Sequence, residues 1–359
     1  MIFNPKARAG LAAGILAATA CAPAVAQSPA PPSGSAPASD IGRLGPAIGA
    51  LAQADGPGAR ARLEALTGLS EATEDLRRCI LQRLDAAADL PAPPADAAFT
   101  DRVLHVYRLY WRQALAAPGT RDAARDRLGV RLAEVLGRPD MPTTEIEAAV
   151  RAGVEAEARH VLAGQTGLLR DLMIWSGQEA RDYEVELPEG PHTSRVFLLT
   201  DFQNGGWLRW ATCEKAGTGG WARPEGLYAV VSGYGDLTGE DFRVSFLGHE
   251  TQHFADYEAW PGLPGRELEY RAKLTELSLA DVTLESLLTA FARSQSDNEA
   301  DAHSHANKRV LAALRTRLGL TDDGDLTAVP RDVLREAARQ ELLADSARRR
   351  AAAGAAVSN

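Results

Sequence analysis

The sequence predicts an α+β fold, predominantly helical, in which a helical N-terminal region precedes a domain built on a small sheet. From about Ile41 to Leu168, apolar residues recur at helical spacing in segment after segment, separated by proline-bearing breaks such as Pro91-Ala-Pro-Pro94. Near Tyr183 the pattern changes to β-branched and aromatic runs bounded by glycine and proline, and helical spacing returns after about Asp241. With 45% hydrophobic and 24% charged residues, a chain of 359 residues can bury one or two substantial cores, so these patterns are read as two domains.

The first residues read as an export signal. Lys6 and Arg8 precede an apolar run from Leu11 to Ala22, and Ala24-Val-Ala26 supplies a small-x-small cleavage site before Gln27. The run is too short for a transmembrane helix, and no later stretch approaches the roughly 18 to 20 apolar residues a span needs. Thr19-Ala20-Cys21 offers a second reading, a lipoprotein anchored at Cys21. Soluble export to the periplasm or medium is preferred, because Ala18 stands where lipoprotein signals usually carry leucine. Residues 27–40, rich in proline, serine and alanine, are expected to form a flexible linker.

Removal of the leader leaves Cys79 and Cys213, which can pair in an oxidising compartment if the fold brings them together. Their spacing excludes a Cys-x-x-Cys metal or redox motif. A balance of 48 acidic against 39 basic residues, net −9, with no basic cluster in the sequence, argues against a nucleic-acid partner.

Within the helical region the clearest segment is Ala98 to Leu115, where Phe99, Val103, Val106, Leu109 and Tyr110 recur on one face and Thr100 or Asp101 is a candidate cap. Similar segments run from Glu71 to Ala87, Arg121 to Leu136 and Thr144 to Leu162. No fixed repeat period relates them, so a plain bundle is expected, with His105 and His160 as ordinary helix side chains. Strand signals follow at Tyr183–Leu187, Ser194–Asp201 and Gly226–Tyr234, the last being the candidate edge strand. Trp207, Trp210, Trp221 and Trp260 either line a groove or pack the sheet against helices.

The most informative stretch is Leu247-Gly-His-Glu-Thr-Gln-His-Phe254. Residues four apart on a helix differ by about 40° around its axis, so His249 and His253 can aim both imidazoles at one zinc ion. Glu250 lies beside them, placed to take a proton from a water in an open coordination position and later pass it to a leaving amine. Apolar residues at 242, 244, 246 and 247 predict a helix running into the motif, which continues to about Trp260. Pro261-Gly-Leu-Pro-Gly265 then breaks it, and a second helix is expected from Arg266 to Leu279. Glu269 is the first choice for a third ligand, with Glu267 and Asp256 as alternatives.

This stretch, over roughly residues 225 to 310, resembles the gluzincin class of zinc metallopeptidases, in which His-Glu-x-x-His is followed on the next helix by a glutamate ligand. Glu269-Tyr-Arg-Ala-Lys273 matches the Glu-x-x-Ala-Asp pattern of many gluzincins except at Lys273, where the aspartate that orients a ligand histidine would stand. Another acid is needed for that task, and Asp256, Glu276, Glu299 and Asp301 are candidates. The resemblance implies a small-sheet zincin-like catalytic domain, Zn2+ as cofactor, and a peptide or protein substrate.

The expected organisation is a signal peptide at 1–26, the linker at 27–40, the helical region at 41–168, the catalytic domain at 169–320, and a C-terminal helix and tail at 321–359. The charged stretch from Pro330 to Ala353 forms that helix.

Ser296-Asp-Asn-Glu-Ala-Asp-Ala-His-Ser-His305 is the other unusual stretch. If it is helical, Glu299 pairs with His303 and Asp301 with His305. Either histidine is then a candidate donor to the oxyanion that develops during hydrolysis, and a solvated polar face is the plainer alternative. The resulting expectation is an exported zinc metallopeptidase with Glu250 as general base and acid. Its alternatives are a zinc amidohydrolase acting on a cell-wall peptide, and a non-catalytic envelope protein whose helical region binds a partner and whose zinc site is structural or vestigial.

Overall fold

The computed structural model describes residues 40–94 and 96–357. The expected leader, Cys21 and the linker up to residue 39 lie outside the described residues. The chain is predominantly helical with one small curled sheet, a mixed α+β, zincin-like arrangement. No helix among the described residues is long and apolar enough to cross a membrane.

Among the described residues six α-helices come first: α1 (Gly45–Ala52), α2 (Gly56–Glu64), α3 (Glu71–Leu84), α4 (Phe99–Ala116), α5 (Arg121–Val135) and α6 (Thr143–Glu155). Their apolar faces converge on α4, whose Val103, Leu104, Trp111 and Leu115 are almost fully buried. The helical stretch ends earlier than the sequence predicts. The chain leaves α6 at Glu155 and enters strand β1 (His160–Thr166), so His160 and Leu162 are strand residues. Within β1, Val161 and Ala163 are buried against the helices in the period-2 alternation of a strand.

The sheet order is β1-β2-β3-β5-β4. Strand β2 (Leu169–Leu187) and strand β3 (Gly190–Gly205) form a long antiparallel hairpin closed by Pro188 and Glu189. After the short helix α7 (Trp207–Ala211) come β4 (Gly220–Arg223) and β5 (Gly226–Val230). Strand β5 lies parallel to β3 and antiparallel to β4, so it is interior, and the edge falls to β4. This corrects the expectation that Gly226–Tyr234 is the edge. The local pattern marks a strand, but the tight Arg223-to-Gly226 turn hands its free side to β4.

One sheet face, with Val185, Leu187, Val196, Leu198, Leu227 and Ala229, packs against Phe242, Phe246 and Leu247 ahead of the histidine motif. The other face carries an aromatic layer in which Trp221 stacks on Tyr228 at 5.3 Å. Trp207 and Trp210 belong to the core of the N-terminal helices. Three of the four tryptophans thus serve packing, and Trp260 lies 4.4 Å from the guanidinium of Arg271.

After one turn at α8 (Glu240–Phe242), residues Arg243–Gly248 form a π-helix that leads into α9 (His249–Ala259). Helix α10 (Gly265–Leu279) follows the predicted break, then α11 (Leu284–Arg293), α12 (Ala302–Leu318) and α13 (Arg331–Val357). Helices α10 to α13 share a separate apolar core around Leu274, Leu277, Leu288, Leu311 and Leu342.

Candidate metal centre

The residues inside the motif fasten α9 on two sides. Thr251 Oγ donates to Ser194 Oγ of β3 at 3.0 Å, and Gln252 accepts from Thr275 of α10 at 2.8 Å while donating to Asp256 at 2.8 Å. At Gly248 a Cβ would come within 3.0 Å of Leu279 Cδ1, so the absence of a side chain lets the end of α10 close on the start of the motif. The π-helix just upstream sits where such widened turns concentrate, at functional sites.

These anchors set three ligand atoms facing one another. His249 Nε2 and His253 Nε2 are 3.1 Å apart, and the two Glu269 carboxylate oxygens lie 3.5 Å away, Oε2 from His249 Nε2 and Oε1 from His253 Nε2. All three side chains are buried, and their ligand atoms lie within 4.8 Å of one another. Behind His249, Nδ1 meets Glu276 Oε1 at 2.6 Å, which fixes the tautomer that turns the Nε2 lone pair toward the cluster. His303 Nδ1 lies 2.7 Å from Glu269 Oε2 but off hydrogen-bond geometry, so that buried oxygen has no hydrogen-bond donor among the described residues.

The electrostatics agree with a cation at this point. Burial pushes the Glu269 carboxyl up, but His249, His253 and His303 outweigh it and hold it well below the usual carboxylate range. Burial likewise opposes charge on His253, yet Glu269, with Glu250 and Asp256, raises its pKa. Two imidazole nitrogens 3.1 Å apart cannot both present lone pairs to each other without repulsion. A divalent cation satisfies both nitrogens and the carboxylate oxygen that lacks a donor. Two imidazoles and one carboxylate are the protein donor set of catalytic zinc sites, in which water or substrate takes the fourth position.

The alternatives for the third ligand are otherwise engaged. Glu267 is held by Arg309 at 2.8 Å and Arg349 at 2.6 Å. Asp256 is bound by Arg271 Nε at 2.9 Å. Of the four acids considered for orienting a histidine, Glu276 is the one in contact. Glu299 lies 3.4 Å from Arg266, and Asp301 caps α12 by accepting from Ser304 N.

The expected Glu299–His303 and Asp301–His305 pairs do not form, because α12 begins only at Ala302 and both acids precede it. His303 is brought to the cluster. His305 has a buried Nδ1 without a partner and makes no contact with the ligands among the described residues. Glu250 is half-exposed and free of hydrogen bonds and ion pairs among the described residues.

Sequence reasoning assigned no role to two neighbours of the site. Tyr234 donates to Gly219 O at 3.0 Å; burial and the charges of Glu250 and Asp241 raise its pKa. Arg271, fully buried, is the larger omission, and an arginine amid the buried face of α10 is the signal that marks it.

No known family model, curated protein or solved structure matches the chain. The buried His249–His253–Glu269 cluster nonetheless has the arrangement of a gluzincin-type site, His-Glu-x-x-His with a downstream glutamate. Its geometry suits a catalytic zinc ion and is consistent with a zinc metalloenzyme of the hydrolase kind.

Proposed function

We propose that the protein is an exported zinc metallopeptidase in which His249, His253 and Glu269 hold the metal and Glu250 is the general base and acid. The observation that carries this reading is the buried three-ligand cluster with an uncommitted, half-exposed carboxylate next to it on the same helix. A bound zinc ion supplies positive charge that acidifies a water and polarises a carbonyl. Glu250 takes the proton from that water and returns it to the departing amine. It is available for this because no hydrogen bond or salt bridge holds its carboxylate among the described residues. His303, whose imidazole the start of α12 brings beside the cluster, is the histidine assigned to donate to the carbonyl oxygen as it gains negative charge. His305 is left out of that role.

Export is supported by the leader-like N-terminus and by the Cys79–Cys213 disulfide, since such bonds persist in oxidising compartments. The test is Glu250→Gln. The variant is expected to bind zinc as the wild type does and to lose hydrolysis of a casein or peptide-library substrate by about 10²-fold or more. Unchanged turnover, or zinc-independent turnover in the wild type, overturns the assignment.

A further inference from the structure

The chain carries a second unusual cluster, remote in sequence from the zinc ligands, where α3, α4 and α7 meet. Arg108 and Arg112 are one helical turn apart on the same side of α4, and the guanidinium of Arg83 on α3 sits 4.9 Å from the Trp210 ring of α7. Arg83 feels the other two: burial first, then Arg108 and Arg112, depress its guanidinium.

None of the three arginines has a carboxylate at ion-pairing distance among the described residues. By contrast Arg271, the other fully or almost fully buried arginine among the described residues, is engaged by three acids. The nearest negative charges are Glu214, already paired with Arg209 at 2.5 Å, and Asp101, which accepts from Gln203 at 2.7 Å.

The junction is also rich in donors without acceptors. Arg108 Nε, Arg112 Nε and Trp210 Nε1 are buried and unpartnered, and Arg112 and Trp210 are each 4% exposed. Arg112 spends one nitrogen on Ala88 O. Leaving such groups unsatisfied in a −9 chain costs free energy that a bound anion would recover. The Cys79–Cys213 disulfide holds the arrangement, since Cys79 precedes Arg83 by one turn on α3 and Cys213 follows Trp210 by three residues.

We propose that the α3–α4–α7 junction is an anion-binding site, built from Arg83, Arg108, Arg112 and the Trp210 indole N–H, that takes a compact oxyanion of the phosphate type. Arg83 and Arg108 are half-buried and are its solvent-side members, the mouth, while the buried Arg112 is its inner member. The site is independent of the metal cluster, so its ligand is a second partner of the protein.

Thermal unfolding of the full chain in sodium phosphate, against sodium chloride of equal ionic strength, tests this in the wild type and in Arg83→Gln and Arg108→Gln. Phosphate is expected to raise the wild-type Tm by about 4–8 °C at a hundredfold excess over Kd. Both variants should be at least as stable as wild type in chloride, because a repulsive charge is gone, and should lose most of the phosphate shift. Two variants at the mouth keep the test valid if one fails to fold.

Sedimentation with phosphatidylglycerol vesicles separates the sources of the anion. A Tm shift assigns the site to a free phosphate. Vesicle binding without a Tm shift, lost in both variants, assigns it to a lipid headgroup. Absence of both effects, or their persistence in both variants, overturns the proposal.

Discussion

Seven residues separate Glu269 from Glu276, two helical turns, so both carboxylates stand on the face of α10 turned toward the motif helix. Glu276 thereby reaches His249 from farther along the helix than the aspartate of the Glu-x-x-Ala-Asp pattern. Lys273 lies 3.9 Å from Glu276 and 4.6 Å from the Phe291 ring centre, buried beside that contact rather than in the cluster. Glu276→Gln should weaken zinc binding about 10- to 100-fold, read by competition with a chelator, while the far-UV circular dichroism is unchanged. Unaltered affinity would show that His249 needs no carboxylate behind it.

The motif, the helix break and Glu269 were legible because they lie within one short stretch of chain. The partner of His249 was legible only as one of four acids. Choosing among them requires knowing where α12 starts, and Asp301 settles that by capping the helix instead of lying in it.

Helix α10 is fixed by a single arginine. Arg271 donates to Asp256 of α9, to Asp345 and Ser346 of α13, and to Glu189 at the tip of the β2–β3 hairpin, at 2.6 to 2.9 Å. Its removal strands buried carboxylates, so Arg271→Met should cost about 3–5 kcal/mol in denaturant unfolding.

The same network sets the acid limit. Burial pushes Asp345 and Glu341 up, but Arg349 and Arg271 on the first, and Arg317 and Arg348 on the second, hold both below their ordinary values. Carboxyls depressed in the folded state stabilise it above the ordinary carboxylate range, about 3.9 to 4.3, and lose that contribution as pH falls through their folded values. The Tm should therefore drop steeply below about pH 4, and less steeply in Arg271→Met. A Tm independent of pH between 5 and 3 would contradict this. At the level of elements, period and breaks revealed most helices. Strand β1 and the interior place of β5 stay hidden in the local pattern because pairing order depends on distant partners.

Across the whole molecule, the sheet lies between two helical layers. Strand β1 and the first part of β2 belong to the core of α1 to α6, while the end of β2 with β3 and β5 backs the segment leading into the motif helix. The Cys79–Cys213 bond, spanning 134 residues, ties α3 to the segment after α7. Two isolated cysteines gave no sign of their distance in space, so this pairing was open in the sequence. Its removal by Cys79→Ser with Cys213→Ser should cost about 2–5 kcal/mol, measured by thermal unfolding. The arginine junction was equally hidden, since its members are scattered over three helices.

The central claim is that His249, His253 and Glu269 form one metal site. Its most direct test is zinc content after loading and desalting, for the wild type and for His253→Ala and Glu269→Ala. A single zinc ion per wild-type chain, with at least tenfold weaker retention in each variant, is the predicted result. A wild type without stoichiometric zinc, or variants that retain it as tightly, would contradict the account.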